Sequence, residues 1–173
     1  GGSSEYDALI LALQRRMTRG VDLSDWYTLS DSRSTIGPAY DELDANLVQD
    51  VNDPFGPVQN GPSTRTDARH RVSISAIVQA PFGLQVAPFF MYRSALPTHT
   101  FEGIDLNRDG NTVDRTAMAY RYTGLDADGR ATYEDAGPCE TVNCSRRAPF
   151  SQLNLRVSRG FRIGSAARIE AIA

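Results

Sequence analysis

The residues best placed to do chemistry lie in one acidic stretch, Asp105-Leu-Asn107-Arg-Asp109-Gly110-Asn111-Thr-Val-Asp114. Oxygen side chains at positions one, three and five, a Gly for the sharp turn and a backbone carbonyl at seven match the first half of a calcium loop. The second half departs, because position twelve is Thr116 rather than a bidentate Glu, which leaves Asp114 at position ten to reach round. Asp105, Asn107, Asp109, Asn111 and Asp114 are therefore the candidate calcium ligands, and the competing reading is an Asx-rich turn whose side chains bond their own backbone. Calcium is the one cofactor suggested. The shorter Asp126-Ala-Asp128-Gly129 reads as a turn.

Cys139 and Cys144 sit in a polar, Gly/Pro-flanked stretch, where a pair so spaced either closes a small disulfide loop in an oxidising compartment or remains two free thiols. His70 and His99 are the only histidines. There is no His-Glu-x-x-His pair, no Gly-x-Ser-x-Gly elbow, no zinc-ribbon cysteine spacing and no Gly-rich phosphate cradle, so the expectation is a protein that is not an enzyme. His70, between Arg69 and Arg71, reads as part of a charge network that pins its strand to Asp67. A small surface hydrolase would instead need His70, Asp67 and a serine to converge.

The elements that must position these residues follow from pattern. The chain has 173 residues, 40% hydrophobic and 23% charged, with net charge −3, which suits one ordinary domain and argues against a disordered tail or a nucleic-acid footprint. All 18 basic residues are Arg, a trait read as coding bias. The longest apolar run, Ala8 to Leu13, is far short of the roughly 18 residues of a spanning helix. The opening Gly1-Gly2-Ser3-Ser4 has no signal-peptide character, and the piece reads as internal to a longer protein.

Period-two alternation predicts strands at Tyr6–Arg16, Val21–Ser32, Arg71–Gln79, Leu84–Ser94, Gln152–Ser158 and 167–171. They pair as three hairpins, 5–32, 69–94 and 150–173, through turns at Thr18-Arg19-Gly20, Pro81-Phe82-Gly83 and Arg162-Ile163-Gly164. Two residues break the pattern: Asp25 falls on an apolar face, and Pro88 suggests an edge or a bulge. The connections 33–68 and 95–149 are 36 and 55 residues long and together hold 15 acids against 8 arginines, a net −7. Short turns at one end and long loops at the other are the plan of a transmembrane β-barrel. Aromatics at strand ends (Tyr6, Trp26, Tyr27, Tyr92, Phe150, Phe161) fit interfacial girdles. The fold class expected is all-β, antiparallel up-and-down hairpins of about six strands, a fragment of such a barrel, since six strands cannot close one and an open edge in lipid leaves backbone groups unpaired.

The motifs Tyr6-Asp-Ala-Leu, Leu13-Gln-Arg-Arg, Trp26-Tyr-Thr-Leu-Ser-Asp-Ser, Asp67-Ala-Arg-His-Arg, Arg93-Ser-Ala-Leu-Pro and Gly103-Ile-Asp-Leu-Asn-Arg-Asp-Gly with Asp114-Arg115 occur in this order over nearly the whole chain. In that order they resemble the late barrel strands of TonB-dependent outer-membrane receptors, nearest to the Oar-like subgroup with a carboxypeptidase-regulatory-like N-terminal domain. The resemblance implies a receptor with a plug inside a barrel of about 22 strands. Its partners would be outer-membrane lipid, the remaining strands and plug of the parent chain, TonB through regions outside these residues, and an extracellular solute; no nucleic acid is implied. Asp25 departs from the small or apolar residue expected at its place. The rival of a different class is a secreted, calcium-dependent β-sandwich adhesion or binding module, which would bury the same stripes in a dry core.

Overall fold

The computed structural model describes residues 3–35, 60–98, 100–105, 108, 110, 116–139, 141–163 and 167–173. It is all-β apart from one 3-10 turn at Pro81–Gly83. The strands are β1 (Ser4–Thr18), β2 (Val21–Ser34), β3 (Gly61–Pro62), β4 (His70–Ala80), β5 (Leu84–Arg93), β6 (Pro97–Thr98), β7 (Met118–Leu125), β8 (Ala131–Pro138), β9 (Ser145–Arg146), β10 (Phe150–Ile163) and β11 (Ala167–Ile172). The long strands form one sheet in the order β1-β2-β4-β5-β10-β11, with β3 beside β2. The chain divides into two compact units. The sheet unit takes Leu9–Leu29, His70–Arg93 and Phe150–Ala173, and the loop unit takes Gly1–Ala8, Ser30–Arg69 and Ser94–Pro149.

Pairing in the sheet unit is antiparallel and in register, so directly opposed residues share a face. One face runs Leu23, Ala76; Ile74, Phe90, Leu153; Tyr27, Val72, Tyr92; Val78, Val86, Val157; and Phe161, Ile169. The opposite face carries Thr28, Arg71, Arg93; Trp26, Ser73, Met91, Gln152; and Ser24, Ser75, Phe89, Asn154. Strand periodicity makes the first face mostly apolar and the second mixed, with Trp26, Met91 and Phe89 among its serines, arginines and amides.

Among the described residues nothing apolar is deeply buried in this unit: the buried hydrophobic side chains are Ala68, Ala119 and Val142, all in the loop unit. Leu11, Leu13, Leu153 and Leu155 stay between 56% and 69% exposed. In water each such side chain would forgo about 1.5–3 kcal/mol of burial, so the dry core that the rival β-sandwich reading requires is not what the described residues of these strands build. The apolar band also has a definite height. From Ser151, opposite Tyr92, to Phe161 is ten residues along β10, or about 26 Å of height at a rise of ~3.4 Å and a barrel tilt of ~40°. An outer-membrane apolar band measures about 25 Å.

Tyr27 and Tyr92 lie at the loop end of this band and Phe161 at its turn end, as girdle residues should. Trp26 and Phe150, expected in the girdle, register on the polar face. Arg159 shares the apolar face near the turns and lies over the Phe161 ring, 4.9 Å from its centroid, the geometry of a cation held at an interface by its aromatic neighbour.

The β1–β2 reversal uses Arg19 and Gly20, both at positive φ (53° and 76°), which matches the right-handed twist of the flanking strands. The last reversal differs from expectation: Arg162 and Ile163, read from sequence as turn residues, are in β10, paired with Arg168 and Ala167, and Gly164 lies outside the described residues. Pro88 makes neither an edge nor a bulge. β5 is interior, and its pairing with β4 runs from Arg71↔Arg93 to Ser75↔Phe89 and resumes at Val78↔Val86 in the same register. The rungs missing are those beside Ala87 and Pro88, where proline has no N–H to donate.

Asp25 keeps the register, opposite Ile74 on the apolar face, beside a groove of about 290 Å³ bordered by Leu11, Leu13, Tyr27 and Val72. Its Oδ1 is buried and has no hydrogen-bond partner. That one carboxylate oxygen has lost its hydration without compensation. Asp25→Leu is accordingly expected to stabilise the full-length protein by about 1 kcal/mol, read as a higher urea midpoint in lipid vesicles; an unchanged or lower midpoint would show that the carboxylate has a stabilising partner.

The segment 95–149, read from sequence as a connection, carries β6–β9, arranged β6-β9-β7-β8. β7 and β8 pair antiparallel with register shifts at Met118/Tyr120 and Tyr122/Gly124, and β7 runs parallel to β9 through Arg121↔Arg146. Asp126 closes the β7–β8 hairpin as an Asx turn, its Oδ1 accepting from the Asp128 and Arg130 N–H groups (2.9 and 2.8 Å).

Candidate functional site

The loop unit is organised around polar groups rather than oil. Ser30, Ser32, Asp67, Thr116, Asn143 and Ser145 are all buried. Asp67 is the hub, its side chain 4% exposed, with a carboxylate oxygen 2.9 Å from Nη2 of Arg146. The Ser32 N–H donates to its Oδ1 at 3.3 Å, and Arg146 Nη1 donates to the Asp67 and Ala95 carbonyls at 3.2 and 3.4 Å. Ser30 Oγ donates to Ala68 O at 2.9 Å, and Ser32 and Thr66 share a 2.7 Å hydroxyl contact. Every one of these joins segments more than thirty residues apart, so the network holds together chain that has little hydrophobic core.

A second cluster lies around Ser145, whose Oγ accepts from the Tyr120 N–H and meets Thr100 Oγ1, both at 3.0 Å. Thr100 Oγ1 lies 2.7 Å from Thr116 Oγ1. Cys139 and Cys144 are joined by a disulfide with Cα atoms 5.6 Å apart. The ring so closed contains Val142 and Asn143, both buried, and Asn143 Nδ2 donates to Pro62 O at 2.9 Å. Gly61 is required at this approach, since a Cβ there would overlap the Val142 side chain and come within 2.9 Å of its carbonyl oxygen. Cys139→Ser is expected to cost the loop unit about 2 kcal/mol, the chain-entropy value for so short a ring; protease nicking of 139–147 in the full-length protein should accelerate, and an unchanged rate would count against a stabilising bridge.

Of the candidate calcium ligands, only Asp105 lies among the described residues, and its Oδ2 accepts the Gly110 N–H at 2.9 Å. Asn107, Asp109, Asn111 and Asp114 lie outside them, as does His99. No group of three metal-ligating side chains occurs among the described residues. His70 is engaged through Nδ1 with the Tyr27 hydroxyl at 2.8 Å, while Asp67 is committed to Arg146. The residue that sequence reasoning missed is Arg146: nothing near it in the chain marks it as the partner of an acid 79 positions earlier. A cavity of about 400 Å³ lies beside it, bordered by Tyr120, Arg121, Thr141 and Cys144.

A sheet whose described residues form one largely apolar, solvent-exposed face and one more polar face, with an apolar band of membrane height, is the wall of a membrane-spanning β-barrel. The model of a family described as an outer membrane beta barrel domain matches residues 1–108, more than half of the chain, and the protein belongs to that family. Its place is the outer membrane. The β10–β11 hairpin, beyond the matched residues, continues both faces in register. No curated protein and no solved structure matches the chain significantly.

Proposed function

We propose that this chain forms part of the wall and the extracellular loops of a TonB-dependent receptor of the Oar-like kind, which takes up a scarce solute with energy delivered from the periplasm. The apolar face contacts lipid, the polar face lines the lumen, and the loop unit meets the solute first. Further strands pair with β1 and β11, the end members of the sheet, because an unpaired edge in hydrocarbon costs several kcal/mol per exposed group. No catalytic step is assigned to these residues. The observation that carries the reading is the row of exposed apolar side chains along one face of the sheet unit; the motif order supports the finer assignment to TonB-dependent receptors.

Comparing spent growth medium from cells with and without the full-length protein, each with and without TonB, tests this reading. Depletion of at least one solute should require both proteins. Depletion that persists without TonB, or no solute that depends on the receptor, would contradict it. Deleting 100–145 in the receptor should abolish the depletion, and uptake that survives would remove the loop unit from solute capture.

A further inference from the structure

We infer that the cavity beside Arg146 in the loop unit binds a small solute that carries a carboxylate or phosphate group on a compact, partly apolar body, with Arg121 supplying the charge. The inference rests on the reading of the loop unit as the part that meets the solute first, and adds the chemical class of that solute. The cavity measures about 400 Å³ and is bordered by loop-unit residues alone. That volume falls in the range of small-molecule sites.

Its walls are fixed before anything enters. Between Met118↔Pro138 and Tyr120↔Asp135 a single residue of β7, Ala119, faces two of β8, Ala136 and Gly137, so β8 bulges. Gly137 takes the bend at φ 98°, and its N–H donates to Asp135 Oδ1 at 2.8 Å. Bulges recur beside binding sites because they re-aim the chain and interrupt the ladder. Here Ala119, Ala136 and Pro138 border the cavity, and the two alanines leave room that larger side chains would fill. A further wall is the disulfide ring, present through Thr141 and Cys144 and anchored by Asn143 on the Pro62 carbonyl. Arg146 is held in place by Asp67. A site ordered in advance loses less entropy when it binds.

The segment 95–149 holds more acids than arginines, yet the ionic residues that border the cavity are Arg121 and Arg146, with no acid among them. The charge of Arg146 is taken up by Asp67, which leaves Arg121. Its side chain is exposed and makes no ion pair or hydrogen bond among the described residues, although Glu134 is its partner across β7 and β8. A guanidinium fork matches the oxygens of a carboxylate or phosphate, and Tyr120, Ala136 and Pro138 offer apolar surface to the rest of the solute.

Calorimetric titration of the full-length protein in detergent with benzoate, phenyl phosphate and uncharged benzamide tests this. Benzoate or phenyl phosphate should bind saturably and more weakly as salt rises, the tighter of the two naming the oxyanion, and benzamide should not bind. Arg121→Gln should weaken binding at least tenfold and Arg121→Lys should recover part of the loss. Ala136→Phe, which fills the cavity and leaves every charge in place, should abolish binding. Glu134→Gln should bind as tightly as wild type or tighter, and Arg130→Gln, on the hairpin turn, should match wild type. Wild-type affinity in Arg121→Gln or Ala136→Phe, or benzamide binding equal to benzoate, would overturn the inference. Oxyanion binding in a protein whose solute depletion ignores TonB keeps this site and ends the receptor reading; TonB-dependent depletion without oxyanion binding does the reverse.

Discussion

Leu155→Arg is expected to destabilise the full-length protein by about 2–4 kcal/mol in lipid vesicles, and Asn154→Arg, one residue away, by less than about 0.5 kcal/mol. Leu155 is opposite Pro88, between the Tyr92 and Phe161 levels, and 61% exposed. An arginine there sits near the middle of the apolar band, too deep for its guanidinium to reach either interface without cost. Asn154 is opposite Phe89 on the polar face, where Gln152 already donates to its side-chain oxygen at 3.1 Å. A soluble sheet exposed on both faces would give the reverse ranking or none, since arginine is cheap in water. Urea unfolding of both variants in vesicles measures the difference, and equal costs would contradict the assignment of faces.

Arg146→Ala is expected to cost the loop unit about 3–5 kcal/mol. The Asp67 carboxylate, 4% exposed, would keep the 3.3 Å Ser32 N–H and lose its guanidinium. The double variant Asp67→Ala/Arg146→Ala should be less destabilised than Arg146→Ala alone, because the stranded charge is then gone. Hydrogen exchange in the full-length protein reads this directly: amides in 60–68 and 95–98 should lose protection together. Full protection in Arg146→Ala would mean that the ion pair contributes little. By comparison, the exposed pairs of Asp31 with Arg33 and Arg69 (3.3 and 2.7 Å) should each be worth under about 1 kcal/mol.

The sheet unit was legible in the sequence because its rule is local: alternation at period two states both the strand and its faces. Even Tyr6–Arg16, where Ile10 and Ala12 interrupt the alternation, lies within β1. The band height was legible only in outline, since it depends on register, which the structure supplies through Ser151↔Tyr92 and Phe161↔Ile169. The loop unit was not legible. Its order comes from contacts such as Arg146 with Asp67, Asn143 with Pro62 and Ser145 with Thr100, all distant in the chain and made by residue types that are equally common in turns. Short strands such as β6 and β9, two residues each, leave no periodicity to read. Pro88 misled for a related reason: a proline forbids a rung but does not choose which neighbour loses it, and here the gap is in the pairing with β4.

The most direct test of the account uses single cysteines at 152–157 of the full-length protein, each carrying an environment-sensitive fluorophore, in vesicles containing brominated lipid. Leu153, Leu155 and Val157 positions should be quenched by the bromines and ignore aqueous iodide, while Gln152, Asn154 and Arg156 positions should show the opposite. Leucine positions that answer to neither quencher would mean a dry protein interior behind this face, and the membrane wall described above would be wrong.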